Sequence, residues 1–267
     1  MSDTPGSLSR HAAATACLVF MFAAHALAQS PAPEPATPDF LSRYDFHLTA
    51  NALAIDDQRF SWDVHFGGDL DVADYKVGRT SILIDYEALL GDEYRPFDPN
   101  QSYYLLEASS SYRASGTEIA FVFHHVSRHL SDRDKRGAIA WNVVGARVMR
   151  RFALGGVTVD TRGDAGSVVQ HSYVDYRWTA DLDLWIRRAV SRRVGLFAHG
   201  YGEIFGVEGT PGNRGSQTGG RAEAGVRFDG RAGALELFAG IERRIDADPI
   251  DLLPKRWGIA GFRLLSK

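Results

Sequence analysis

The chain of 267 residues contains one cysteine, Cys17, and it lies within an apolar run near the N-terminus. If that run is removed on export, no thiol remains, which excludes disulfide frameworks, thiolate nucleophiles and cysteine-rich metal sites. No later apolar stretch approaches the ~20 residues that a membrane-spanning helix needs. An excess of one charge is also missing: 30 Lys and Arg stand against 33 Asp and Glu, for a formal net charge of -3. Nothing there calls for nucleic acid as a partner or for a polybasic membrane patch. A P-loop, a dinucleotide fingerprint, G-x-S-x-G and HExxH are all absent, so no cofactor is expected. The glycine-rich stretch 206–220 lies between two strand patterns and opens no helix, which makes it an external loop rather than a phosphate cradle. No internal repeat is visible, and a propeller or solenoid is therefore unsupported.

What is present begins with a secretory signal over residues 1–28. It has a polar start ending at Arg10 and His11, an apolar run over 12–26, and small residues at Ala26 and Ala28 before Gln29. Residues 29–43 follow as a Pro-rich periplasmic spacer, because SPAPEPATPD at 30–39 cannot pair in a sheet.

From Tyr44 onward, over 44–267, the recurring pattern is two-residue alternation, which sends successive side chains to opposite faces of a strand. Phe60, Trp62, Val64, Phe66, Leu70 and Val72 alternate with Ser61, Asp63, His65, Asp69 and Asp71. Val174, Tyr176, Trp178, Ala180, Leu182, Leu184 and Ile186 alternate in the same way with Asp175, Arg177, Thr179, Asp181 and Asp183. These runs exceed the five or six residues of an average strand and match the roughly nine to eleven that cross a bilayer. Extended along the chain, the pattern predicts about twelve strands, an even number suited to a single-chain barrel. They fall near 44–54, 58–73, 78–89, 102–113, 117–129, 138–150, 155–162, 172–187, 193–205, 217–228, 233–245 and 256–265. The connections alternate between short ones, such as 114–116 and 152–155, and longer ones, such as 90–102, 130–137, 163–171, 206–218 and 246–255. Short turns inside and long loops outside are the habit of outer-membrane barrels.

The expected architecture is therefore all-β: a closed antiparallel transmembrane β-barrel of about twelve strands in the cell outer membrane. Its partners are membrane lipids, lipopolysaccharide and the outer-membrane assembly machinery. The final residues 262–267 lack the terminal aromatic common in such barrels, although Phe262 and Leu264 keep the alternation. On this register the lumen receives Asp63, Asp69, Asp71, Asp85, Glu87, Glu107, Asp160, Asp175, Asp181, Asp183, Glu223, Glu236 and Glu242. Arg113, Arg162, Arg177, Arg221, Arg227 and Arg244 face them. Charges of both signs in a narrow barrel imply a salt-bridged interior; a small cation-preferring pore is the alternative, given the acidic excess.

One segment concentrates chemistry. Residues 124–132 (HHVSRHLSD) hold three of the nine histidines and lead into a long connection. In a strand His125, Ser127 and His129 share the face of Ile119, Phe121 and Phe123, near one membrane interface. A neutral imidazole within reach of a serine can take its proton if a third group orients the ring. His124 falls on the opposite face, so no metal site is assigned, and His124, Arg128 and His129 are candidate binding residues at a His-rich extracellular rim.

The string His125-x-Ser127-x-His129-Leu130-x-Asp132 resembles an uncharacterised group of bacterial outer-membrane barrels with H-x-S-x-H-L-G-D at such a position, Ser131 standing for Gly. The H-x-S pair is also similar to the lipid A deacylases, in which a His and a Ser on the outer barrel surface cleave an acyl chain. That likeness implies an outer-leaflet lipid hydrolase using Ser127 and His125. Arg128 stands where that family has Asn, and 137–142 carries no carboxylate where it has Glu. Glu107 on the neighbouring strand, or Asp132 and Asp134 in the loop, are then the candidates for the orienting acid. Beyond these alternatives, the sequence defines a membrane barrel without assigned chemistry.

Overall fold

A computed structural model describes residues 37–131, 137–208 and 214–266. The expected signal at 1–28 and most of the spacer lie outside the described residues. Twelve strands run β1 Asp39–Ala54, β2 Trp62–Asp74, β3 Arg79–Gly91, β4 Asp98–Ala114, β5 Thr117–Leu130 and β6 Ile139–Leu154. The second half continues β7 Val157–Ser172, β8 Tyr176–Ala189, β9 Val194–Val207, β10 Gln217–Asp229, β11 Gly233–Asp248 and β12 Leu253–Ser266. Each strand pairs antiparallel with its sequence neighbours, and β1 pairs with β12 through Leu48↔Leu264 and Ala52↔Ala260, closing the barrel. Closure pairs every strand on both sides through the body of the barrel, which a hydrocarbon environment demands.

Alternation by itself does not distinguish an apolar exterior from an apolar core. Burial does. Ile84, Phe121 and Ile241 point outward at 55%, 60% and 68% exposure, whereas Asp63, Asp183 and Glu236 point inward at 0%. This is the inside-out pattern of a barrel facing lipid.

Two connections are two-residue turns with both residues at positive φ: Ser115 and Gly116 (51° and 74°) between β4 and β5, and Gly155 and Gly156 (54° and 83°) between β6 and β7. That conformation matches the right-handed twist of the strands it joins, and glycine adopts it without a Cβ clash. The other connections at this end, 75–78, 190–193 and 230–232, are also short. At the opposite end, 55–61, 92–97, 131–138 and 208–216 are longer, while 173–175 and 249–252 are not.

Five expectations are corrected. The first strand begins at Asp39, so the last residues assigned to the spacer pair with β2, Phe40 opposite Ala73. Residues 163–171, expected as an outer loop, continue β7. Phe60 lies before β2 rather than on its lipid face; it is 2% exposed and packs on Trp257, with ring centroids 5.4 Å apart. A register shift between Tyr176 and Trp178 turns Tyr176 inward, where its hydroxyl donates to Asp246 at 2.7 Å. Arg177 then faces outward and pairs with Glu208 instead of entering the lumen.

Chains of charge run along the lumen wall, and Arg244 on β11 reaches across to Asp63 on β2 and Glu87 on β3. Arg147 donates to Glu107 at 2.6 and 2.8 Å and to Asp164 at 2.7 Å, and Arg162 continues the chain to Asp164 and Asp181. Arg263 joins Glu223 and Glu236 at 2.7 and 2.8 Å. An apolar cluster including Leu53, Leu89, Trp185, Phe197 and Phe238 fills further space, a core that an alternating polar face did not announce. At the long-loop end Arg214 ties Asp175 to Asp246. There Arg59 hydrogen-bonds to Asp57 and holds its carboxyl well below the ordinary carboxylate range, with Lys255 adding to the effect.

Candidate functional site

The two faces of β5 separate the sequence candidates. Ile119, Phe121 and Phe123 are exposed on the lipid side, and the parity of the strand carries His125, Ser127 and His129 onto the same wall. His124 and Arg128 point the other way. His124 Nδ1 lies 4.0 Å from a Glu107 oxygen, and Arg128 is buried, donating to the Asp246 carbonyl at 2.9 Å with its guanidinium 4.2 Å from the Tyr103 ring centroid. These two therefore face the lumen rather than the lipid.

Glu107 is corrected too. It is buried on the lumen side and held by both Arg147 nitrogens, so the barrel wall separates it from the His125 ring. Asp132 and Asp134 lie outside the described residues.

The group that meets His125 is an amide. In the β5–β6 register His125 stands directly opposite Asn142 and Ser127 opposite Ala140. The ring Nδ1 and Asn142 Oδ1 are 2.6 Å apart. A carbonyl oxygen only accepts, so this contact requires the proton on Nδ1 and leaves Nε2 as the basic nitrogen. Ser127 is two residues along on the same face, ~6.6–7 Å between Cα atoms at strand spacing. Asn142 in turn donates from Nδ2 to Gln170 Oε1 on β7 at 2.8 Å. Serine, histidine and asparagine thus have the order of a nucleophile, a base and a group that fixes the base's tautomer.

An aromatic row runs up to the site. Ser127 pairs with Tyr104, Tyr104 with Tyr86, and Tyr86 with Phe66 in one row across four strands. Successive rings in this row are 5.0 Å apart, and Tyr104 meets His129 edge to face at 5.1 Å. Aromatic girdles of this kind sit at the boundary between headgroups and acyl chains.

Inside the wall is a cavity of about 160 Å³ lined by Glu107, His124, Arg147, Arg162, Asp181 and Tyr201, among others. It opens on the opposite face from Ser127 and cannot serve that residue. Asp63, His65 and Glu87 gather buried ligand atoms within 4.8 Å of one another. Arg244 already supplies positive charge to both carboxylates, at 2.9 Å from Asp63 and in contact with Glu87, so no metal is assigned there.

Sequence reasoning paired His125 with Ser127 and missed Asn142 and Gln170. Asn142 was available: it sits at an outward position of the expected sixth strand, but the search there was for a carboxylate, and an amide oxygen accepts the same bond.

No protein-family model matches the chain, and no curated protein matches it in sequence. Solved structures do. Outer membrane phospholipase A from Escherichia coli is 12% identical, with 84% of this chain and 92% of that chain covered and a TM-score of 0.51. An asparagine-to-alanine active-site mutant of that enzyme matches at 12% identity, 85% and 91% coverage and the same TM-score. The Salmonella typhi outer membrane phospholipase dimer with bound calcium gives 12%, 84%, 90% and 0.51. At such identities the likeness establishes architecture: this chain is a twelve-stranded β-barrel of the outer membrane.

Proposed function

We propose that this barrel is an outer-leaflet lipid acyl hydrolase, with Ser127 as nucleophile, His125 as general base and Asn142 as the residue that orients the base. The observation that carries this is the 2.6 Å contact between His125 and Asn142 on the lipid-facing wall, two residues from Ser127. His125 Nε2 accepts the Ser127 proton as Oγ attacks the ester carbonyl. The imidazolium then returns that proton to the departing alcohol, leaving an acyl group on Ser127, and water activated by the same nitrogen releases the fatty acid.

Depth supports the same reading. Lipid esters lie where acyl chains meet headgroups, and Ser127 shares a row with Tyr104, Tyr86 and Phe66. The longer connections next to the site support an external position for it. The structural likeness to phospholipases, one of them altered at an active-site asparagine, lends support from outside the chain. The pore alternative has less in its favour, because Arg244 on β11 bridges across the lumen to Glu87 on β3 and Asp63 on β2, and Arg147, Arg162 and Arg263 pair with carboxylates along its wall.

The test is release of fatty acid by the purified barrel in detergent, with phosphatidylethanolamine in one arm and lipopolysaccharide in the other. Ser127→Ala and His125→Ala are each expected to lower the rate by about 10³-fold or more, with heat-modifiable gel migration unchanged. A wild-type protein that releases fatty acid from neither substrate contradicts the proposal.

A further inference from the structure

Gln170 carries no obvious duty in a barrel wall. Its side chain is exposed on the lipid face of β7, where an unpaired amide is costly. It stands there because the strand breaks its own alternation. Ala165 pairs with the outward Ala146, and Gly166 and Val168 follow the inward Gly145 and Val143; the register then shifts, so that Asn142 meets Gln170 while Val143 meets Val168. Val169 is the extra residue of a β-bulge. Without it Gln170 would point into the lumen with Asp164, Gly166 and Val168. Bulges are recurrent devices for re-aiming a side chain beside a functional site.

The re-aimed side chain meets the one group of the site with two nearly equivalent orientations. An asparagine amide offers an oxygen on one arm and a nitrogen on the other. With Oδ1 toward His125, Asn142 accepts from Nδ1–H and Nε2 stays basic; rotated by half a turn, Nδ2 presents a donor to that ring nitrogen and favours the unproductive tautomer. Gln170 Oε1 accepts from Nδ2 at 2.8 Å and so supports the first orientation.

We infer that Gln170 is a positioning residue, acting through Asn142 to hold the His125 tautomer that serves Ser127. The inference rests on the hydrolase reading above. Its test uses the intact barrel in detergent micelles and a medium-chain p-nitrophenyl ester as substrate. Gln170→Met keeps size and removes the acceptor; kcat is expected to fall about 10-fold with KM unchanged. Gln170→Glu, which restores an acceptor at that place, is expected to recover most of the loss. In an Asn142→Ala background Gln170→Met is expected to add nothing, because the two act as one unit.

A Gln170→Met barrel as active as wild type overturns the inference while leaving the hydrolase reading in place. So does a loss that multiplies with that of Asn142→Ala, or one that Glu fails to repair. An inactive wild-type barrel removes the hydrolase reading itself, and this inference with it. Unchanged heat-modifiable migration guards each comparison against misfolding.

Discussion

On the proposed reading, Asn142 explains how a base can be oriented on a surface bathed in lipid. An ionised carboxylate there carries a large desolvation cost, whereas an amide pays less and is satisfied by two partners, His125 and Gln170. Removing the oxygen frees the imidazole to adopt either tautomer. Asn142→Ala is therefore expected to lower kcat about 10- to 100-fold with little change in KM, and Asn142→Asp to retain more activity than Ala because it still accepts from Nδ1. Initial rates over a range of substrate concentrations, with micelle composition held fixed, check both. This residue also marks how far the sequence was legible. Parity along β5 was enough to join His125 to Ser127, but the partner comes from pairing across strands. The stretch 137–142 on the next strand was the right place to look, but reading it for an acid passed over Asn142, a neutral acceptor 17 positions from His125.

The elements around the site are braced from within. β6 shows Asn142 to lipid and Arg147 to the lumen, where it links Glu107 on β4 with Asp164 on β7 behind the β5 wall. Taking one partner out of such a buried network leaves the others uncompensated, a loss of about 3–5 kcal/mol. Arg147→Met is thus expected to lower the urea midpoint of the barrel markedly, and Arg147→Met combined with Glu107→Gln to recover part of the loss; a folding titration followed by gel mobility measures both. Strand reading succeeded where apolar and charged residues contrast, as in β2, and failed where they do not. In β7 the run Gly163, Ala165, Gly166 and Ser167 offers small side chains on both faces, so its second half passed for a loop. The inward turn of Tyr176 and the outward turn of Gln170 share a cause: each follows a register shift, which alternation does not record.

Over the whole molecule, closure of β1 on β12, an apolar exterior and a lumen lined by arginine–carboxylate pairs give a closed cylinder, and the proposed function makes its outer wall the working surface. The architecture was readable because a barrel repeats one simple rule twelve times; the internal apolar cluster around Trp185 and Phe238 was not, since those residues interrupt a face that is otherwise polar. A rigid wall suits the proposed chemistry, because lipid diffuses in the plane of the membrane to the proposed nucleophile, Ser127, which Tyr104, Tyr86 and Phe66 flank in one cross-strand row. Covalent capture is the most direct test. The folded barrel in detergent is treated with a long-chain alkyl fluorophosphonate and its peptides are weighed by mass spectrometry. The account expects one phosphonyl adduct, on the peptide holding Ser127, lost in Ser127→Ala and greatly slowed in His125→Ala. A folded barrel that stays unlabelled at Ser127, or labels equally fast without His125, contradicts it.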